Sequence, residues 1–415
     1  MEAVIVSIGH EILSGRTVNT NASAIAKDLL TIGIPVKQIF VIEDEPSEIL
    51  EVIGSLLKRF PVIICTGGLG STKDDRTKGA IAQLFKVPLI SDNTLVAIIE
   101  TKYKNLGYLS FPQKVFSQAQ IPRGATIFPN PVGSAPGLLM QKNGTMLFLL
   151  PGVPDEMKAL MKQSILPYLQ ERKQGQTVIT RSIRTFGIGE TALAEIIEPV
   201  IGRFKNPALS YLPSIEGVDL MFTGTGDNRL SAESKIRKIQ EKILPFIKKW
   251  VYGYEQEDVA ELVGKLLSER KFTLAVAESC TGGLLASRLT DISGSSLYFE
   301  RGIVTYSNQA KEELLNVPHD LLIKYGAVSL QVAKIMAEEV RKLSGSDIAL
   351  STTGIMGPTG ATLKKPVGLV YIGYCDTYKT IAIKLNLHWD RLKNKMRTVQ
   401  FALILLREQL VKMKK

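Results

Sequence analysis

The sequence predicts an α/β protein of several domains, and three observations carry that expectation. Residues 1–170 alternate apolar strands with amphipathic helices, the rhythm of a parallel sheet covered by helices. Residues 258–415 repeat it, and three of their strands run into turns rich in Gly, Ser and Thr. Residues 174–252 lie between and mix strands and helices in an α+β pattern. A chain of 415 residues is also too long for one ordinary core.

The first segment reads as a strand over 3–8, a helix through 22–32, a strand over 36–42, a helix through 49–58 and a strand over 62–65. Ligands of such sheets gather at the loops that follow the strands. The loop after 62–65 is Thr66-Gly67-Gly68-Leu69-Gly70-Ser71-Thr72-Lys73-Asp74-Asp75. Its glycines let backbone N–H groups approach phosphates, and Asp74 and Asp75 are candidates for holding a divalent cation. The plain alternative is that the two aspartates cap a helix beginning near Arg76.

The middle segment reads as a strand over 178–186, the turn Gly187-Ile188-Gly189-Glu190, a helix through 193–201, a strand over 218–223 and a charged helix over 232–249. Tyr252-Gly253-Tyr254-Glu255-Gln256-Glu257-Asp258 reads as a polar linker. Cores on both sides of it predict separable halves.

In the last segment an apolar strand over 273–277 meets a helix over 284–289 through Glu278-Ser279-Cys280-Thr281-Gly282-Gly283. A serine at such a turn is exposed beside unpaired N–H groups that bind a phosphate or a developing oxyanion. Ser279 and Thr281 could equally be caps of the helix. After the strand over 302–305, Tyr306-Ser307-Asn308-Gln309-Ala310-Lys311 opens another helix. With Asn308 as N-cap, Lys311 falls at the third helical position, where the helix dipole disfavours a cation and favours a neutral amine able to act as a base. A surface lysine facing Glu312 or Glu313 is the bland alternative. None of the three histidines, His10, His319 and His388, lies in a glycine-rich turn, which argues against a Ser-His-Asp triad. The third turn, Gly354-Ile355-Met356-Gly357-Pro358-Thr359-Gly360, follows an alternating strand over 347–353. Three such junctions point to a phosphate-bearing small molecule.

Composition bounds the rest. With 45% hydrophobic and 22% charged residues the chain is neither disordered nor fibrous. No apolar run reaches the length of a membrane span, and the first residues enter a strand without a basic leader. Cys65, Cys280 and Cys375 are too far apart for a disulfide framework or a metal motif, so a cytoplasmic location is expected. The net charge of +11 is spread along the chain, with clusters at Lys364-Lys365, 391–397 and 412–415.

The three turns of the last segment, with Ala327-Val328-Ser329, resemble the C-terminal domain of the competence/damage-inducible protein A (CinA) family over residues 258–415. The resemblance implies a metal-free amidohydrolase that converts nicotinamide mononucleotide and water into nicotinic acid mononucleotide and ammonia. It implies Ser279 as nucleophile, Lys311 and Tyr306 as proton-transfer partners, and Thr281, Gly282, Gly283, Gly354, Gly357, Gly360 and Arg391 around the nucleotide. Met356, Ala361 and Leu387-His388-Trp389 depart from the family pattern.

Residues 1–170 resemble the molybdopterin-binding-like, three-layer domain of the same family. The matching stretches are Gly9-His10-Glu11-Ile12-Leu13-Ser14-Gly15, Asn19-Thr20-Asn21, Thr66–Asp75, Asn130-Pro131-Val132-Gly133-Ser134-Ala135-Pro136-Gly137 and Pro151-Gly152-Val153-Pro154-Asp155-Glu156. This implies metal-dependent hydrolysis of ADP-ribose to AMP and ribose 5-phosphate. Asn19, Asn21, Gly67, Gly68, Gly70, Lys73, Gly133 and Gly152 would contact substrate, with Asp74 and Asp75 on the metal. His10, Ser71 and Asp155 depart from the pattern. The middle segment resembles the family's KH-like module, but its glycines lack Gly-x-x-Gly spacing, which argues against nucleic acid and for a spacer or a homodimer contact. The competing readings are a nucleic-acid-associated adaptor and a pterin-binding protein.

Overall fold

A computed structural model describes residues 1–72, 75–105, 113–172, 177–202 and 206–413. Lys73 and Asp74 lie outside them. Two compact units divide the chain: Met1–Thr180 with Phe204–Ala208 and Thr223–Ile239, and Arg181–Arg203 with Leu209–Phe222 and Gln240–Lys415. No helix of the described residues is long and apolar enough to cross a membrane.

The strands of the first unit's main domain are β1 (Ala3–Ile8), β2 (Val36–Ile42), β3 (Val62–Thr66), β4 (Leu89–Ser91), β5 (Gln120–Pro122), β6 (Thr126–Phe128), β7 (Gly137–Lys142) and β8 (Thr145–Leu150). Six make one sheet in the order β2-β1-β3-β8-β7-β6, while β4 and β5 pair separately. β1, β3 and β8 are buried along their whole length because helices cover both faces, so they read as unbroken apolar runs. The sheet is parallel from β2 to β8 and antiparallel beyond. Asn143 and Gly144, both with positive φ, make the tight turn between β7 and β8. The loops after β1, β3 and β8 therefore leave the same end of the sheet. Gly67 is required there: its φ is +113°, and a Cβ would lie 2.1 Å from the Ile8 carbonyl oxygen.

The middle sheet has the order β10-β11-β9-β12, from β9 (Thr177–Thr185), β10 (Ala208–Ser214), β11 (Gly217–Gly226) and β12 (Val251–Tyr254). β12 corrects the expected linker. Its residues pair antiparallel with β9, and Asp258 caps the following helix Val259–Arg270 through the Ala260 amide.

The last domain holds β13 (Leu274–Glu278), β14 (Phe299–Val304), β15 (Ile348–Gly354), β16 (Leu369–Cys375) and β17 (Thr380–Asn386) in the order β14-β13-β15-β16-β17. The first three are parallel and the last two antiparallel, so the turns after β13, β14 and β15 open side by side. Phe186 and Tyr252 of the middle segment share this domain's apolar core, and Phe186 meets Phe401 edge-on with ring centroids 4.5 Å apart. Arg397 donates to the Ile215 carbonyl and Gln400 to that of Glu216. Arg288, on the helix Leu284–Thr290, pairs with Asp258 at 2.8 Å and lies 3.8 Å from Glu216. The segments expected to be separable are thus packed together.

Candidate active sites

The turn after β13 decides between cap and nucleophile. Glu278 is fully buried, and its carboxylate accepts from the amides of Gly283, Leu285 and Ala286 at 3.0, 3.1 and 2.8 Å. That carboxylate, and not Ser279 or Thr281, caps the helix Leu284–Thr290. Thr281 is tied instead to Thr352, hydroxyl to hydroxyl at 2.6 Å. Gly282 and Gly283 take positive φ to make the turn. Ser279 is left with its Oγ accepting from Lys311 Nζ at 3.1 Å.

Lys311 is only 1% exposed. Its Nζ also donates to the carbonyl oxygens of Thr305 at 2.7 Å, Ser307 at 3.4 Å and Tyr306 at 3.5 Å. Among the described residues no carboxylate pairs with it, and burial pushes its pKa down to about 8. The N-cap is Ser307, which accepts from the Ala310 amide, so Asn308 is the first helical residue and Lys311 the fourth. The position therefore corrects the dipole argument: desolvation lowers the pKa. In the neutral amine two N–H groups can face carbonyls while the lone pair faces the serine hydroxyl.

Tyr306 is 64% exposed, and its phenol accepts from Arg391 at 3.0 Å; only its backbone carbonyl faces Lys311. Arg391 also donates to the Gly357 carbonyl at 2.9 Å, joining the turns after β14 and β15. Asp390 caps the helix Arg391–Lys412. Gly357 and Gly360 have positive φ, whereas Gly354 ends β15 where a Cβ would lie 2.8 Å from Val370 Cγ2. Met356 is buried in the apolar core and Ala361 is exposed. Trp389 lies beside Arg397. Lys365 donates to the Tyr325 carbonyl at 2.6 Å.

Cys280 is buried, and desolvation pushes its thiol up to about 12, far from the thiolate a nucleophile needs. Chemistry that depends on Ser279 is expected to survive Cys280→Ala within a few-fold in a turnover assay; a dead variant would move the nucleophile to the thiol.

At the carboxyl ends of β1, β3 and β8 a cavity of about 330 Å³ is lined by Gly67, Gly68, Gly70 and Gly152 and by the carboxylates of Glu11, Asp44, Asp75 and Glu156. Asp75 does not cap the helix Thr77–Phe85. Its Oδ1 accepts from the Gly70 amide, and its Oδ2 from the amide and hydroxyl of Thr72, all within 2.6–2.7 Å. The loop is closed by those bonds. Asn19 spends its side chain on Ser7 and on the Ala22 amide as a helix cap. Asn21 donates to Thr66 and to the Gly152 carbonyl, leaving its buried Oδ1 without a partner. Gly133 lies against Glu156, and Lys102 donates to the carbonyls of Asn130 and Gly133. His10 is surface-exposed and paired with Glu43.

Sequence reasoning missed Glu278 and Glu156. An acid at the end of an otherwise apolar strand was the available signal for the first. It missed Lys78 too, buried beside Asp75 with its pKa pushed down to about 8 by desolvation.

Three family models match in order: a probable molybdopterin binding domain over residues 4–171, the damage-inducible protein CinA KH domain over 180–253 and the CinA C-terminal domain over 256–410. A CinA-like protein of Cytophaga hutchinsonii is 39% identical over 415 residues, covering 99% of both chains. The chain belongs to the CinA family. A second CinA-like protein, from Chlorobium phaeobacteroides, is 41% identical over 409 residues and 96% of each chain. A solved structure of the protein CinA from Thermoplasma acidophilum is 38% identical, covers 39% of this chain and 94% of its own, and superposes with a TM-score of 0.37. The CinA architecture thus accounts for the three expected folds: molybdopterin-binding-like, KH-like and CinA C-terminal.

Proposed function

We propose that this CinA family member is a bifunctional hydrolase of pyridine-nucleotide recycling. Its C-terminal site deamidates nicotinamide mononucleotide to nicotinic acid mononucleotide and ammonia. Its N-terminal site cleaves ADP-ribose to AMP and ribose 5-phosphate. The observation that carries the first reading is the 3.1 Å approach of a buried lysine amine, without a carboxylate partner among the described residues, to Ser279 Oγ. Neutral Lys311 removes the serine proton as Oγ attacks the carboxamide carbon, and returns it to the departing ammonia. The amides of Thr281 and Gly282, free of acceptors among the described residues, suit the developing oxyanion. Water then hydrolyses the acyl-enzyme. Arg391, anchored on Gly357 and Tyr306, supplies positive charge for the nucleotide phosphate.

The second reading rests on the glycine-lined cavity and its carboxylates. Among the described residues no group of three His, Cys, Asp or Glu side chains stands where it could hold a metal ion, and Asp75 is engaged by its loop, while Asp74 lies outside them. A pyrophosphate brought among four carboxylates still needs its charge offset, and a hard divalent cation arriving as the substrate's chelate does that. Incubating the protein with each nucleotide and following ammonia and AMP tests both halves. ADP-ribose cleavage should stop in chelator and return with added magnesium or manganese, while ammonia release is unaffected. Asp75→Ala should abolish cleavage by opening the loop; full AMP production in either condition would remove the N-terminal assignment.

A further inference from the structure

The helix Pro154–Leu160 begins beside the N-terminal cavity, and Glu156 lies in its first turn. An acid there ordinarily complements the helix dipole or caps the chain before it. Glu156 instead reaches across to Asn130, whose Nδ2 donates to its Oε2 at 2.7 Å. Asn130 is itself fixed: its Nδ2 also donates to the Ala135 carbonyl, and its Oδ1 accepts from the amides of Val132 and Gly133. One carboxylate oxygen is thus held by a rigid donor, and among the described residues Oε1 has no hydrogen-bond partner while the residue lines the cavity. The opposite wall is cut back to make room: a methyl group on Gly133 would lie 2.0 Å from Glu156 Cδ. Desolvation raises the carboxyl's pKa, opposed by the Asn130 bond and by Lys102. Asp75, by contrast, accepts three bonds from its own loop.

We propose that Glu156 is the general base of the N-terminal site, accepting a proton from the water that attacks the pyrophosphate. This rests on the reading of that site as an ADP-ribose hydrolase. The water oxygen forms a new bond to one phosphorus and the P–O bond to the bridging oxygen breaks. The leaving phosphate keeps that electron pair, and the proton passes from Glu156 to solvent. Asn130 acts as a positioning residue.

Glu156→Gln keeps the side-chain shape and can still accept from Asn130. In the full-length protein supplied with magnesium it should lower the rate of ADP-ribose cleavage roughly a hundred- to ten-thousand-fold, with KM changed little. The acidic limb of the pH–rate profile should disappear with it, because only the ionised carboxylate accepts a proton. Ammonia release from nicotinamide mononucleotide should be unchanged, and the unfolding midpoint of the N-terminal unit, which reports its fold, should be unchanged too. Gly133→Ala should push the carboxylate aside and lose AMP production without loss of thermal stability, and formate should restore part of the rate of Glu156→Ala. A Glu156→Gln variant that cleaves ADP-ribose at the wild-type rate, with the acidic limb intact, overturns the role of Glu156 alone. Wild-type protein that releases no AMP overturns the hydrolase reading and this proposal together.

Discussion

Ser279→Ala is expected to abolish ammonia release from nicotinamide mononucleotide while AMP production from ADP-ribose continues. Among the described residues the hydroxyl is the only nucleophile to which Lys311 donates a hydrogen bond, at 3.1 Å. Lys311→Met, which keeps the length of the buried chain, should reduce the deamidation rate by roughly two to four decades. The pH dependence follows from which form of the amine works. A base must be unprotonated, so the rate should climb about tenfold per pH unit as pH approaches the lysine's pKa of about 8, and level off above it. The methionine variant should lose that rise. Ammonia release by Ser279→Ala at the wild-type rate, or a pH profile unchanged in Lys311→Met, would exclude the pair.

Glu278→Ala should strongly destabilise the C-terminal domain. It removes one fully buried carboxylate and strands the amides of Gly283, Leu285 and Ala286, each of which costs about 1–3 kcal/mol when left unpaired out of water. The loss should be on the order of 3 kcal/mol or more, read from denaturant unfolding of this domain. Because the same carboxylate fixes the turn that carries Ser279, deamidation should fall with it even in molecules that remain folded. Glu278→Gln, which still offers one acceptor oxygen, should lose less. A Glu278→Ala protein with unaltered unfolding and full ammonia release would show that the helix start needs no such anchor.

Much of this was legible from one strand-to-turn junction after another. Glycines at 67, 68, 282, 283, 357 and 360 mark places where the chain turns with positive φ, and that demand is written locally. Ser279 and Lys311 stood out because each follows an apolar run. Their meeting was not legible, since it depends on β13 and β14 lying side by side in a parallel sheet. Glu278 escaped notice for the same reason: its three donors exist as a cluster only once the helix has formed. Glu156 and Asn130 are 26 residues apart and meet across the fold. Polarity misled at Val251–Tyr254, where Gly253 and the acidic run after it suggest a linker although the backbone pairs with β9. Asn308 is a good cap residue, but Ser307 lies one residue earlier and its hydroxyl accepts from the Ala310 amide.

The hairpin between β10 and β11 grips two helices of the C-terminal domain, through Glu216 near Arg288 and through the carbonyls of Ile215 and Glu216 on Arg397 and Gln400. One of those helices begins at the turn bearing Ser279 and the other carries Arg391. Segments joined in this way open together rather than one at a time. Amide protons of the hairpin and of the helix Leu284–Thr290 should therefore exchange with solvent at a common slow rate. An inherited lesion in that hairpin of the KH-like module would then register as a fault in the turn that bears Ser279.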